Sequence, residues 1–163
     1  MNLDNMTLDA FDLVEDLDSP YRAMTTAQAG IRDGAFASFI TAPTNGTYAI
    51  VNGFDGAGPG HILLGKDLLA GYNTVTFDYR AGWDMIPYGA TQNRTFTFRI
   101  EPYGGGTALQ ETLILTANAG TNVNDTGAQS STIDISSFNT QNIRIVFDWY
   151  IPENFTGPAL FQL

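Results

Sequence analysis

Residues 81–94, AGWDMIPYGATQNR, bring together Trp83, Asp84, Tyr88, Gln92, Asn93 and Arg94. An aromatic ring offers an apolar face to the CH face of a sugar, while Asp, Asn, Gln or Arg can hold the sugar hydroxyls. This segment is the candidate ligand-binding loop. Residues 52–61 add Asn52, Asp55 and His61 as a second polar group. The same residue types also admit a structural role, in which Trp83 and Tyr88 fold back and plug the end of a core.

Chemistry beyond binding is thinly supplied. The chain has no G-x-S-x-G, no H-E-x-x-H and no P-loop. It has no Cys and a single His, so thiolate nucleophiles, disulfides and Cys-ligated metals are excluded. Glycosidic hydrolysis needs two carboxylates across one bond. Asp78, Asp148 and Glu153 are the candidates. However, Asp78 shares a strand face with Arg80, and Asp148 shares one with Arg144, which fits a cross-strand charge ladder better. The chain is read as non-catalytic.

The whole sequence narrows this further. Its 163 residues suit one domain with a real core. With 17 Asp+Glu against 7 Lys+Arg, the net charge of −10 disfavours nucleic acid and anionic lipid as partners. No apolar run reaches the roughly 18 residues that would mark a membrane-inserted helix. The composition is rich in Gly, Thr and Asn and poor in Lys, and it points to an extracellular or cell-surface home. Five N-x-S/T sequons start at Asn5, Asn45, Asn93, Asn124 and Asn154.

These residues must be positioned by strands. Val75, Phe77 and Tyr79 alternate with Thr76, Asp78 and Arg80. Phe96, Phe98 and Ile100 alternate with Thr95, Thr97 and Arg99. Ile143, Ile145, Phe147, Trp149 and Ile151 form a third period-two series, which marks Trp149 as core. Further strands are expected at 35–42, 47–54, 61–65, 111–117, 131–136 and 159–163. Turn-forming clusters separate them at 43–46, 56–60, 104–106 and 118–127. The pattern predicts an all-β, antiparallel β-sandwich with a jelly-roll order. One domain spans 1–163, with an N-terminal strand and acidic connection over 1–34 and the sandwich core over 35–163. Segment 8–17 is read as a loop or short turn, and 18–34 as a polar connection.

The C-terminal third carries a resemblance. Ser131-Thr132-Ile133-Asp134-Ile135-Ser136-Ser137-Phe138, then Asn142-Ile143-Arg144-Ile145-Val146-Phe147, then Phe161-Gln162-Leu163, resemble the last strands of bacterial secreted jelly-roll domains. These are the galactose-binding-like and carbohydrate-binding-module type, with strands of the form (V/I)D(L/I)S-x-F, (I/V)R(I/L)-x-F and FQLDNV. Val51 to Gly56 and Thr76 to Gly82 look like the middle of the same family. The family's last strand continues with DNV. Here Asn2-Leu3-Asp4-Asn5-Met6 looks like that continuation, with Asn2-Leu3 overlaying Gln162-Leu163. Residues 2–10 would then complete the chain's own sheet, mark one unit of an array, or pair with a neighbouring subunit by strand addition. The resemblance also implies one structural calcium ion, with Asp4, Asp18 and Asp33 as ligands and Asp16 beside them.

Two functions follow as expectations. The first is a non-catalytic extracellular carbohydrate-binding-like or adhesive module, whose partner is a polysaccharide or cell-surface glycan. The alternative is a structural subunit that forms homo-oligomers or filaments by β-strand exchange through residues 2–10. No nucleic-acid partner and no membrane insertion are expected.

Overall fold

The computed structural model describes residues 1–3, 6, 10–15, 22–25, 48–54 and 59–163. Eleven strands appear among them: β1 Leu13–Glu15, β2 Arg22–Thr25, β3 Tyr48–Phe54, β4 Gly60–Leu68, β5 Thr74–Asp84, β6 Arg94–Pro102, β7 Gln110–Ala117, β8 Asn122–Val123, β9 Gln129–Asp134, β10 Ile143–Ile151 and β11 Ala159–Gln162. One sheet has the order β1-β4-β10-β6-β7. The other has β2-β3-β11-β5, with β8 and β9 both on the far edge of β5. From β3 to β11 the chain crosses between sheets at every step except the β6–β7 hairpin and the β8–β9 step along the β5 edge. That order is a jelly roll, as the strand pattern predicts.

The three alternating series supply the inner faces. Ile143, Ile145, Phe147, Trp149 and Ile151 of β10 are buried, as are Phe96, Phe98 and Ile100 of β6, and Val75, Phe77 and Ala81 of β5. Phe147 bridges the layers, meeting Phe77 edge-on at 4.9 Å and stacking on Phe96 at 5.9 Å. Each buried Val, Ile or Phe side chain among them contributes about 1.5–3 kcal/mol by leaving water.

Three expectations need amendment. Part of segment 8–17 is a strand, because Leu13–Glu15 pairs with Leu63–Gly65 at the edge of the five-stranded sheet. Part of 18–34 is also a strand, because Arg22–Thr25 pairs with Tyr48–Val51. Both are three- or four-residue edge strands, too short to produce a readable alternation. The strand expected at 35–42 lies outside the described residues.

The third amendment concerns the N-terminal segment. Asn2 pairs with Thr76 in parallel, through Leu3 N–H to Thr76 O at 3.0 Å and Thr76 N–H to Met1 O at 2.8 Å. A continuation of β11 would run antiparallel to β5, because Ala159–Gln162 pairs antiparallel with Arg80–Trp83. Residues 1–3 thus occupy the same strand line from the opposite end, and Leu3 is buried in the core. They do not overlay Gln162-Leu163 as the resemblance suggests.

Candidate functional site

The loop after β5 is held from two sides. Met85 is buried, and the Asn122 Oδ1 accepts from both the Met85 and Ile86 amides at 3.1 and 3.0 Å. A 310 turn over Ile86–Tyr88 follows, with Pro87 fixing its start and Gly89 ending it at φ +71°. On the other side, Glu153 accepts from the Thr91 hydroxyl at 2.5 Å, the Thr91 amide at 3.0 Å and the Gln92 amide at 3.0 Å. The Thr91 hydroxyl first, then the two amides, hold the Glu153 carboxyl below the ordinary 4.5, with partial burial opposing them.

The 153–158 loop is locked to the same place. The Arg94 guanidinium, 1% exposed, donates to Gly157 O at 2.7 Å and to Thr156 Oγ1 at 3.4 Å. The Asp84 amide donates to Pro158 O at 2.9 Å. Gly157 sits at φ +99°, where an added Cβ would lie 2.3 Å from Asp84 O and 2.8 Å from the Tyr88 ring. Only glycine allows the two loops to approach so closely.

Two aromatic rings project from this clamped pair of loops. Tyr88 is 50% exposed and Phe155 is 68% exposed, with Ile86 and Pro87 also at the surface. Phe155 is the one described non-glycine residue at positive φ, +47°. Backbone strain of this kind costs about 1–2 kcal/mol. A ring left in solvent returns little of that through burial. Gln92, Asn93 and Asn154, carried by the same two loops, are exposed as well.

The six residues expected at the site therefore divide. Tyr88, Gln92 and Asn93 reach the surface, although the Asn93 Oδ1 is engaged by the Ala119 amide at 3.0 Å. Asp84 is half-buried. Trp83 is 5% exposed, and its Nε1 donates to Thr121 Oγ1 at 3.1 Å, so it packs in the core and offers no stacking face. Arg94 is a buried clamp, not a hydroxyl ligand. Alternation explains both corrections. Trp83 continues Val75-Phe77-Tyr79-Ala81, and Arg94 precedes Phe96 and Phe98, so each falls on the inward side of its strand. Sequence reasoning missed Phe155 and weighed Glu153 only as a candidate carboxylate for hydrolysis, not as a clamp. The Asn-Phe-Thr-Gly-Pro turn was the available signal, since an aromatic inside a turn cluster is seldom there for packing. Asp4, Asp18 and Asp33, together with Asp16 and Asp55, lie outside the described residues.

A second charged group covers the outer face of the five-stranded sheet. His61 Nδ1 lies 2.8 and 3.0 Å from the two Asp148 carboxylate oxygens, and its ring lies tilted against Tyr150 with centroids 4.7 Å apart. Arg99 donates to Asp148 at 2.6 Å and pairs with Glu101 at 2.9 Å. Arg144 grips Asp67 through two bonds at 2.8 and 3.0 Å, which lowers the Asp67 pKa and raises that of Arg144. This is a cross-strand ladder, though Asp148 pairs with Arg99 and His61 instead of its strand neighbour Arg144. Asp78 lies on the outer face of the opposite sheet, where β5 alternation puts it. Asp78 and Asp148 cannot therefore flank one glycosidic bond. No group of three or more His, Asp or Glu side chains among the described residues could hold a metal.

No family model matches the chain, and no curated protein matches it. Similar solved structures include one described as "CBM4 structure and function", 13% identical, covering 93% of this chain and 92% of that one at a TM-score of 0.37. The K3 cleaved adhesin domain of Lys-gingipain from Porphyromonas gingivalis is 15% identical, with 93% and 95% covered and a TM-score of 0.38. The enzymatically active domain of bacteriophage CBA120 tailspike protein 4 is 10% identical at 0.40, and the chain spans 19% of its length. The sandwich assignment rests on strand order and register.

Proposed function

We propose that this chain is a non-catalytic binding module, extracellular or cell-surface, whose loop-end platform takes a glycan. The observation that carries this reading is Phe155. It is an aromatic ring kept in solvent on a strained backbone, on a loop clamped to the one that presents Tyr88. Two exposed rings on loops clamped to each other, with exposed amides on the same loops, suit a sugar, which stacks on an aromatic face and hydrogen-bonds through its hydroxyls. The sequence resemblance to carbohydrate-binding jelly rolls supports the same choice. A glycan array followed by calorimetry on the best hit tests it. Tyr88→Ala and Phe155→Ala should each weaken binding about tenfold or more, with melting temperature within a few degrees of the parent. Equal affinity in both variants would remove the platform from consideration.

A structural calcium ion on Asp4, Asp18 and Asp33 belongs to the proposal through the resemblance alone. A melting temperature unmoved by EDTA and by added Ca²⁺ would end it. Strand exchange through residues 2–10 is the competing reading, and gel filtration with and without residues 1–10 separates the two.

A further inference from the structure

We infer that the loop-end platform selects a neutral polysaccharide and rejects acidic ones, those bearing uronate, sulfate or sialate. This rests on the glycan reading above and deepens it. An anionic sugar needs a cation freed from other duties, and five of the seven Lys and Arg side chains are committed. Lys66 donates to Ala10 O at 2.6 Å, Arg80 pairs with Asp125 at 2.8 Å, Arg99 with Asp148 and Glu101, and Arg144 with Asp67. Arg94 belongs to the platform's own clamp, but it is buried and turned inward onto Gly157 O. Of the two other arginines, Arg22 stands on edge strand β2 in register with Val51, away from the Trp83–Asp84 end of the sheet, and Arg32 is outside the described residues.

The platform's own ionisable groups are anionic. Asp84 and Glu153 flank the two loops, and hydrogen bonds from Thr91 and Gln92 favour the charged form of Glu153. The whole chain adds a net charge of −10. An approaching carboxylate or sulfate therefore meets repulsion at long range and finds no partner at short range. A neutral sugar meets neither obstacle. It is offered two rings and the exposed amides of Gln92 and Asn154, groups that serve as both donor and acceptor for hydroxyls, while the Asn93 Oδ1 is taken up by the Ala119 amide.

Matched pairs of polysaccharides, differing mainly in charge, test this in affinity electrophoresis and calorimetry on the full chain. Suitable pairs are hydroxyethylcellulose with carboxymethylcellulose, highly methyl-esterified pectin with de-esterified pectin, and dextran with dextran sulfate. In any pair that binds, the neutral member should bind at least about thirtyfold tighter at 20 mM NaCl, and its affinity should stay within twofold up to 500 mM. Tyr88→Ala/Phe155→Ala should abolish that binding. Gln92→Arg should admit the acidic member with an affinity that falls as salt rises. Tighter binding of an acidic member by the parent would overturn the neutral selectivity and leave the glycan reading standing. Binding to no member of a broad panel would overturn both. If the double variant melts early, Phe155→Gly, which relaxes the backbone, supplies the same reading.

Discussion

The loop end and the outer sheet face both depend on buried or half-buried charge, but they use it differently. At the loop end, Arg94 donates to a backbone carbonyl and Glu153 accepts from backbone amides. These charges fix the path of two loops that lack a ladder of their own. On the sheet face, Arg99, Asp148, Glu101, Arg144 and Asp67 pair side chain to side chain across β4, β10 and β6, strands that are already hydrogen-bonded. Loss of a charge should change shape at the first site and only stability at the second. A count of ion pairs misses this difference, because the contacts that fix the loops run from side chain to backbone.

The largest expected effect breaks the first member of the contrast. Arg94→Ala leaves a cavity and an unpaired Gly157 carbonyl, which should cost about 3–4 kcal/mol in urea denaturation. Glycan binding should be lost as the platform loosens. Asp148→Ala should cost less, about 2 kcal/mol, because Arg99 keeps Glu101. Its binding isotherm should match the parent, and a loss of affinity there would erase the distinction. Phe155→Gly sharpens the contrast from the other side. It should gain about 0.5–1 kcal/mol by relieving positive φ, while affinity falls.

The smallest effect is local and set by acid. Glu153 has a depressed folded-state pKa, so its contribution is complete above the unfolded value near 4.5 and disappears as pH falls through the lower folded value. Amide signals of Thr91 and Gln92 in an NMR titration should move in that window, ahead of the core. Simultaneous movement of core signals would mean that the clamp does not open independently.

Much of this was legible in the chain. Alternation exposes the core strands because half-buried strands repeat every two residues, and β10 shows it without interruption from Ile143 to Ile151. The edge strands β1 and β2 are too short to show any period. Residue chemistry alone puts Trp83 and Arg94 at the loop surface, whereas strand phase turns both inward. The same alternation that located Phe96 would have turned Arg94 inward. Phe155 was invisible for another reason. Its meaning lies in a backbone angle and in the approach of loops separated by more than sixty residues, and neither leaves a local pattern.

Gly157 has a further consequence. Within one short turn, Glu153, Thr156, Gly157 and Pro158 hold the loop, while Asn154 and Phe155 face outward. Holding and presenting thus fall to separate letters of the same sequence. A library randomised at 86–88, 92 and 154–155, with Gly157 and Arg94 fixed, should yield mostly folded members with diverse specificities. In that sense the module is already a scaffold whose vocabulary can change while its grammar stays the same.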